Sequence, residues 1–254
     1  MIRAIEHGAT RELRLNHPPA NALSPQLIVE LRQAVERAPE QGIRALILSG
    51  SPGWFSGGLD VPLLLTLDRP AMAATWRDFY ALLGALACSP IPIIAAITGH
   101  APAGGTVLAL FCDRRIVAQG DWKIGLNEVP VGLPLPPVIL AALQRLVGPR
   151  QAERLAVGGL LIPPSEAVNV GLVDEIAPAD QVVSRAIAAC EDLLALPPEA
   201  MAITRRQARS DLTGLFEGDI KPELEQVTAS WWSEEAQRVL RRLVEELAMK
   251  RAQR

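Results

Sequence analysis

Three strand-length runs constrain this chain more than any other feature: Arg44 to Ser49 (RALILS), Ile91 to Ile97 (IPIIAAI) and Arg114 to Gln119 (RRIVAQ). The first two are apolar on both alternating faces and bounded by turn residues, the pattern of a strand buried on both sides, and the third reads as a further strand. Helical patterns separate the first two. Asp68 reads as the N-cap of a helix running from Pro70 to about Cys88, and after the second strand Gly104 to Phe111 reads as a short helix. Strand, turn and helix in alternation predict an α/β core of parallel strands joined by right-handed crossovers. Before this core, Arg3 to Glu6 and Glu12 to Leu15 read as a hairpin around Gly8, and His17 to Ser24 as a loop. Ser24 caps a helix with Pro25 at its first position and Leu27, Leu31, Ala34 and Val35 on one face. Trp122 to Ile124 reads as a further strand.

After Leu135 the pattern is helical: Pro136 to Leu146, Arg150 to Val157, Asp180 to Leu196, Pro198 to Asp211 and Ser233 to Lys250, with one short strand at Val173 to Ile176. The expected organisation is a core over residues 1–195 and a helical region over 196–254 that serves oligomerisation and closes the pocket. In the last helix Ala236, Val239, Leu240, Leu243 and Leu247 form an apolar stripe, which predicts packing against other subunits.

Composition narrows the function. The net charge is −3 and no basic tract occurs, which argues against a nucleic-acid partner. No apolar stretch reaches membrane-spanning length, and the charged N-terminal residues do not read as a secretory signal. Cys88, Cys112 and Cys190 show neither metal nor disulfide spacing, so they read as small buried hydrophobes in a reducing compartment, and the expected location is cytoplasmic. The three His residues are too scattered for a metal site.

Chemistry is expected in three places. Glu128 lies in IGLNEV (Ile124 to Val129), a run otherwise uncharged. A carboxylate in apolar surroundings has its charged form disfavoured, so its pKa rises toward the range of a useful proton carrier. Two Gly-containing turns, FSGGLD (Phe55 to Asp60) and APAGGTV (Ala101 to Val107), follow strands, at the sheet end where ligands bind in α/β folds. Glycine there lets the backbone approach a ligand, and two N–H groups converging on one carbonyl oxygen make an oxyanion hole. Either turn taken alone reads more readily as a simple tight turn.

These motifs together, with NALS (Asn21 to Ser24), TGHAPAGGTVLALFCDRRI (Thr98 to Ile116), IGLNEVPVG (Ile124 to Gly132) and AVNVGLVDEI (Ala167 to Ile176), resemble the crotonase (enoyl-CoA hydratase/isomerase) superfamily over most of the chain. Within it the APAGG, CDRRI and IGLNE runs are most similar to the mitochondrial-type Δ3,Δ2-enoyl-CoA isomerases. The resemblance implies a spiral of repeated ββα units, a C-terminal helical trimerisation region, a homotrimer with pairing into a hexamer left open, and an acyl-CoA thioester as ligand. By motif position it implies oxyanion amides at Leu59 and Gly104. Ala20, Ala22, Gly57, Gly58, Asp60 and Gly105 are the expected substrate and CoA contacts. CoA enters as part of the substrate, and neither a metal nor a separate cofactor is implied.

The acids point to the reaction. Hydratases of the superfamily use two glutamates, and the first position is here Val107, which transfers no proton. The second is Glu128. One carboxylate suits a proton shuttle, so the resemblance implies isomerisation of 3-enoyl-CoA to trans-2-enoyl-CoA in fatty acid oxidation. A hydratase or another crotonase-type acyl-CoA enzyme, and a non-catalytic acyl-CoA-binding subunit, are the alternatives. Asp113 reads as an ion-pair residue and Asp60 as a loop brace. His100 reads as structural, with a pocket position as the alternative. Trp54, Trp76, Trp231 and Trp232 are candidates for an acyl tunnel, although aromatic residues more often build core. Pro62 replaces a lysine found in some relatives, which leaves Arg205, Arg206 and Arg209, of this or a neighbouring subunit, as candidates for a CoA phosphate contact, although a solvated helix face is the plainer reading of each. The Pro-rich stretch Val131 to Ile139 is expected at the acyl end of the pocket.

Overall fold

The computed structural model describes the backbone of residues 1–252 and side chains to residue 249; residues 253–254 of the expected C-terminal region lie outside the described residues. In order, its elements are β1 (Ile2–His7), β2 (Thr10–Leu15), α1 (Pro25–Arg37), β3 (Ala45–Ser49), β4 (Gly53–Trp54), α2 (Val61–Leu64), α3 (Arg69–Cys88), β5 (Ile93–Ile97), β6 (Gly99–Pro102) and α4 (Gly104–Leu110). They continue with β7 (Arg114–Ala118), β8 (Ile124–Gly125), α5 (Pro137–Val157), α6 (Pro164–Asn169), β9 (Glu175–Ala177), α7 (Val182–Leu194), α8 (Pro198–Ala208), α9 (Ser210–Thr213), α10 (Lys221–Trp231) and α11 (Glu234–Ala252).

A six-stranded sheet runs β1-β2-β3-β5-β7-β9, antiparallel in the opening hairpin and parallel thereafter. Each of β3, β5 and β7 is buried along nearly its whole length because both its faces are covered. Leu46, Leu48, Ala95, Ile97 and Val117 face the main core with α1 and α3, while Ala45, Ile47, Ile94, Ala96 and Ile116 pack under α7. This two-sided burial is what the continuous apolar runs encode.

A second parallel sheet, β4-β6-β8, lies inside stretches that read as loops, so the sequence reading misses two of its strands. Gly and Pro hide them, since both are poor strand residues. The glycine at position 99 has a steric cause: a Cβ on Gly99 would stand 2.1 Å from the Gly53 carbonyl carbon. Each of the pairs β3–β4, β5–β6 and β7–β8 leads into a helix, giving three ββα units.

Several expected elements shift in detail. The two helices expected between Pro136 and Val157 form α5, broken at Gly148 (φ 75°, ψ 161°) before Pro149. The helix expected to reach Asp211 ends at Ala208, and α9 follows. Helices α2, α6 and α10 are absent from the sequence reading. In the last helix Ala236 and Leu240 are fully buried within this chain and Leu243 lines a cavity of it, whereas Leu247 lines the cavity and stays 38% exposed, so part of the stripe is covered without another subunit. Cys88 is also corrected: it is exposed at the end of α3, whereas Cys112 and Cys190 are buried.

Candidate active site

The loop from His17 to Ser24 is stitched to the first Gly-containing turn by its backbone. Gly57 N–H donates to Ala20 O (2.7 Å), Leu23 N–H to Gly58 O (2.8 Å) and Asp60 N–H to Leu23 O (3.1 Å). Asn21, buried at positive φ (51°), accepts from His17 N–H through Oδ1 and donates through Nδ2 to Trp54 O and Phe55 O. Ser56 Oγ donates to Asn21 O and accepts from Gly58 N–H. Every neighbouring N–H of this turn is thereby engaged except that of Leu59, which has no protein acceptor among the described residues.

The second turn meets the first at Gly58. With φ 84°, Gly58 adopts a conformation that favours glycine, and a Cβ on it would lie 3.1 Å from Gly104 N. Ala103, just before Gly104, also has positive φ (47°), strain of the kind that concentrates at functional sites. Its N–H donates to Gly125 O (2.8 Å), while Thr106 Oγ accepts from Gly125 N–H (2.8 Å). These bonds fix the start of α4 against β8. Gly104 N–H, at the first position of α4, has no acceptor among the described residues. The turns carrying the two free amides are therefore in contact.

A cavity of about 500 Å³ opens on this junction. Leu59, Gly104, Val107, Asn127 and Glu128 all line it. Glu128 stands just before a single 3₁₀ turn, and its carbonyl accepts from Val131 and Leu133 N–H (both 3.0 Å), which anchors the loop beneath it. Its Oε2 is buried without a partner, and burial pushes its pKa up to about 7, its own backbone N–H pulling the other way. No charged neighbour contributes to that shift.

The other expected residues sort clearly. Ala20, Ala22, Gly57 and Asp60 line the cavity. The Asp60 carboxylate caps α2 by accepting from Leu63 N–H (3.2 Å), as a loop brace does. Gly58 and Gly105 are corrected as direct contacts: neither is in the cavity wall. Gly105 packs against the first turn instead, where a Cβ would come within 2.5 Å of Ser56 O. Trp54, Trp76 and Trp231 line the cavity, as do Val131, Leu133 and Ile139 of the Pro-rich stretch. Trp232 stands outside the wall and carries the Arg69 guanidinium over its ring. His100 lies between Trp54 and Trp122 and accepts from Lys123 N–H, a structural position.

Arg205 and Arg209 are corrected as phosphate contacts. Arg205 grips both carboxylate oxygens of Asp113 (2.6 and 2.8 Å), and Asp113 also holds Ile93 N–H. Buried Arg209 donates to the Phe111 carbonyl (2.8 Å) and lies 3.3 Å from Asp113. Arg206 is exposed and lies outside the cavity wall. Sequence reasoning overlooked Asn127, Val227 and Ser230 as lining residues. The last two sit on α10, whose signal was Leu224, Val227 and Trp231 at helical spacing behind Pro222.

The family model described as enoyl-CoA hydratase/isomerase matches residues 6–250. Human mitochondrial enoyl-CoA delta isomerase 1 is 36% identical over 200 residues, covering 78% of this chain and 66% of that protein. The probable enoyl-CoA hydratase EchA17 of Mycobacterium tuberculosis is 36% identical over 197 residues, covering 76% of this chain and 74% of that protein. The crystal structure of human mitochondrial Δ3,Δ2-enoyl-CoA isomerase superposes with a TM-score of 0.93 at 30% identity, covering 98% of both chains. With its spiral of ββα units and a family match over nearly its whole length, the chain belongs to the enoyl-CoA hydratase/isomerase family.

Proposed function

We propose that this enzyme isomerises 3-enoyl-CoA thioesters to trans-2-enoyl-CoA, in the manner of fatty acid oxidation. The observation that carries the reading is Glu128, an unpartnered carboxyl with pKa near 7, lining the same apolar cavity as two free backbone amides. The thioester oxygen accepts from Leu59 and Gly104 N–H, which stabilises the dienolate formed when the proton on the carbon next to the thioester leaves. Glu128 takes that proton as carboxylate and, now the acid, delivers it to C4. The double bond moves from C3–C4 to C2–C3, and Glu128 ends ionised as it began. Such a shuttle needs no metal or redox group, and CoA arrives with the substrate.

Val107 supports isomerisation over hydration. It faces the cavity where a second acid would help split a water, and the other carboxylate in the wall, Asp60, is engaged as a cap. Offering the purified protein 3-enoyl-CoA and trans-2-enoyl-CoA in parallel tests the reading. Conjugation of the first supports it, hydration of the second replaces it with a hydratase, and binding without turnover replaces it with a carrier. Glu128→Gln is expected to retain acyl-CoA binding and lose isomerisation by about a hundredfold or more. In the wild type, kcat/KM is expected to rise with pH through about 7, because the base must be ionised.

The homotrimer is carried forward as part of this proposal. Leu196 and Ile203 stand exposed (48% and 46%) near the junction of α7 and α8, an apolar surface suited to a subunit contact. A stable monomer in sedimentation at micromolar concentration overturns it. No described helix is long and apolar enough to cross a membrane. Three unpaired cysteines support a reducing compartment, and the cytoplasm is the proposed location.

A further inference from the structure

Asn127 is the polar side chain immediately beside the candidate base, and nothing in the mechanism above uses it. It lines the same cavity as Glu128, and neither end of its amide has a protein partner among the described residues; its Oδ1 is buried. Buried amides are rarely left unpaired, and those that are call for an explanation. Next to it, Glu128 Oε2 is also buried and unpaired. Two unpaired polar side chains on consecutive residues of one anchored loop thus face one apolar space. The remaining uncharged polar side chain bearing a hydroxyl there is Ser230, on α10.

We infer that Asn127 is a positioning residue for Glu128: with an acyl chain filling the cavity, its Nδ2 donates a hydrogen bond to the Glu128 carboxylate and holds it over the substrate carbons. The inference rests on Glu128 being the base. The physical reason is water exclusion. An acyl chain that enters the cavity removes the solvent that otherwise hydrates the carboxylate, and a hydrogen bond to an ionised group strengthens as local polarity falls. A shuttle also needs its carboxylate aimed at two carbons in turn, which a freely rotating side chain does poorly. Asn127 supplies a neutral donor, so it steadies the ionised form without fixing it permanently as a Lys or Arg would. No charged side chain contributes to the state of Glu128, and Asp60, the other acid in the wall, is held by α2, so Asn127 is the group placed to tune it.

The test uses Asn127→Leu, which keeps the branched heavy-atom skeleton and removes the donor, and Asn127→Asp, which keeps the shape and replaces the donor with an acceptor. The titration of the Glu128 carboxyl is followed by carbon NMR in the full chain saturated with a non-reactive, fully saturated acyl-CoA. Removal of the donor is expected to raise the Glu128 pKa by about one unit in both variants. With 3-enoyl-CoA, the acid limb of the pH–rate profile is expected to move upward by the same amount. At neutral pH kcat falls by about tenfold, whereas KM and the saturated acyl-CoA Kd stay within about threefold. An unmoved Glu128 titration overturns the inference, and so does a large loss of acyl-CoA affinity with an unmoved limb, which assigns Asn127 to substrate binding instead. Failure of the wild type to isomerise, or full turnover by Glu128→Gln, overturns the functional reading. The carboxyl titration then still decides whether Asn127 bonds Glu128.

Discussion

At the scale of single residues, Glu128 sets its proposed chemistry against stability. Its folded pKa of about 7 lies above the ordinary 4.5, so the folded and unfolded chains bind protons differently between those values. Below about pH 4.5 both forms are neutral and Glu128 costs nothing. As pH rises the unfolded form ionises first, so the penalty on the folded state grows until its own carboxyl ionises near 7 and stays at its full size above that. The full penalty is on the order of 3 kcal/mol. Glu128→Gln is therefore expected to raise the midpoint of thermal unfolding at pH 8 and to leave it unchanged at pH 4, as calorimetry at both values checks. Gly58 acts indirectly. An Ala there is strained by its φ of 84° and sets a methyl 3.1 Å from Gly104 N. Gly58→Ala is expected to lower kcat by about a hundredfold by misplacing the two amides, in steady-state assays of a protein whose circular dichroism is unchanged. Glu128 stood out by residue type in an uncharged run, whereas Leu59 and Gly104 were named only through the motif resemblance; all three line the cavity. Asn127 was not legible, because an amide beside a candidate base gives no pattern until its lack of a partner is seen.

At the scale of elements, β2 carries a buried acid that alternation alone did not single out. Glu12 is fully buried and held by Arg14 (2.8 Å), Ser49 and His7. Burial pushes its pKa up, but the hydrogen bonds of those three partners, with the Arg14 charge, outweigh burial and bring it below the ordinary value. A lowered carboxylate pKa contributes stability above about pH 4.5 that is lost as pH falls through the folded value. Glu12→Gln leaves Arg14 and His7 without their anion and is expected to cost about 3 kcal/mol at pH 7 by urea denaturation, the deficit shrinking in acid. The long elements were readable because caps and apolar spacing agree: Ser24 accepts from Leu27 N–H and Asp68 from Ala71 N–H, as read. The second sheet and α10 were not. In the former, glycines chosen for close backbone approach mask the strand pattern; in the latter, charged and polar residues fill most of the helix around three apolar anchors.

At the scale of the whole molecule, the division expected at residue 195 does not interrupt the packing. One hydrophobic cluster runs from Leu13 through the sheet and α3 to Leu212, Trp231, Ala236 and Leu240, so the C-terminal helices share the core of the residues before them. Here the sequence was legible in part: the C-terminal helical region was expected to close the pocket, and its residues do line the cavity, but an amphipathic helix announces that it will be covered and not by what. Ala236 and Leu240 of its stripe face inward, and Leu243 and the partly exposed Leu247 of α11 line the same cavity as Glu128. Ceiling and floor of the proposed reaction chamber are thus cut from a single polypeptide. Turnover per chain should then be indifferent to dilution: stopped-flow rates taken from tens of micromolar down to nanomolar should coincide, even across a range where any assembly falls apart.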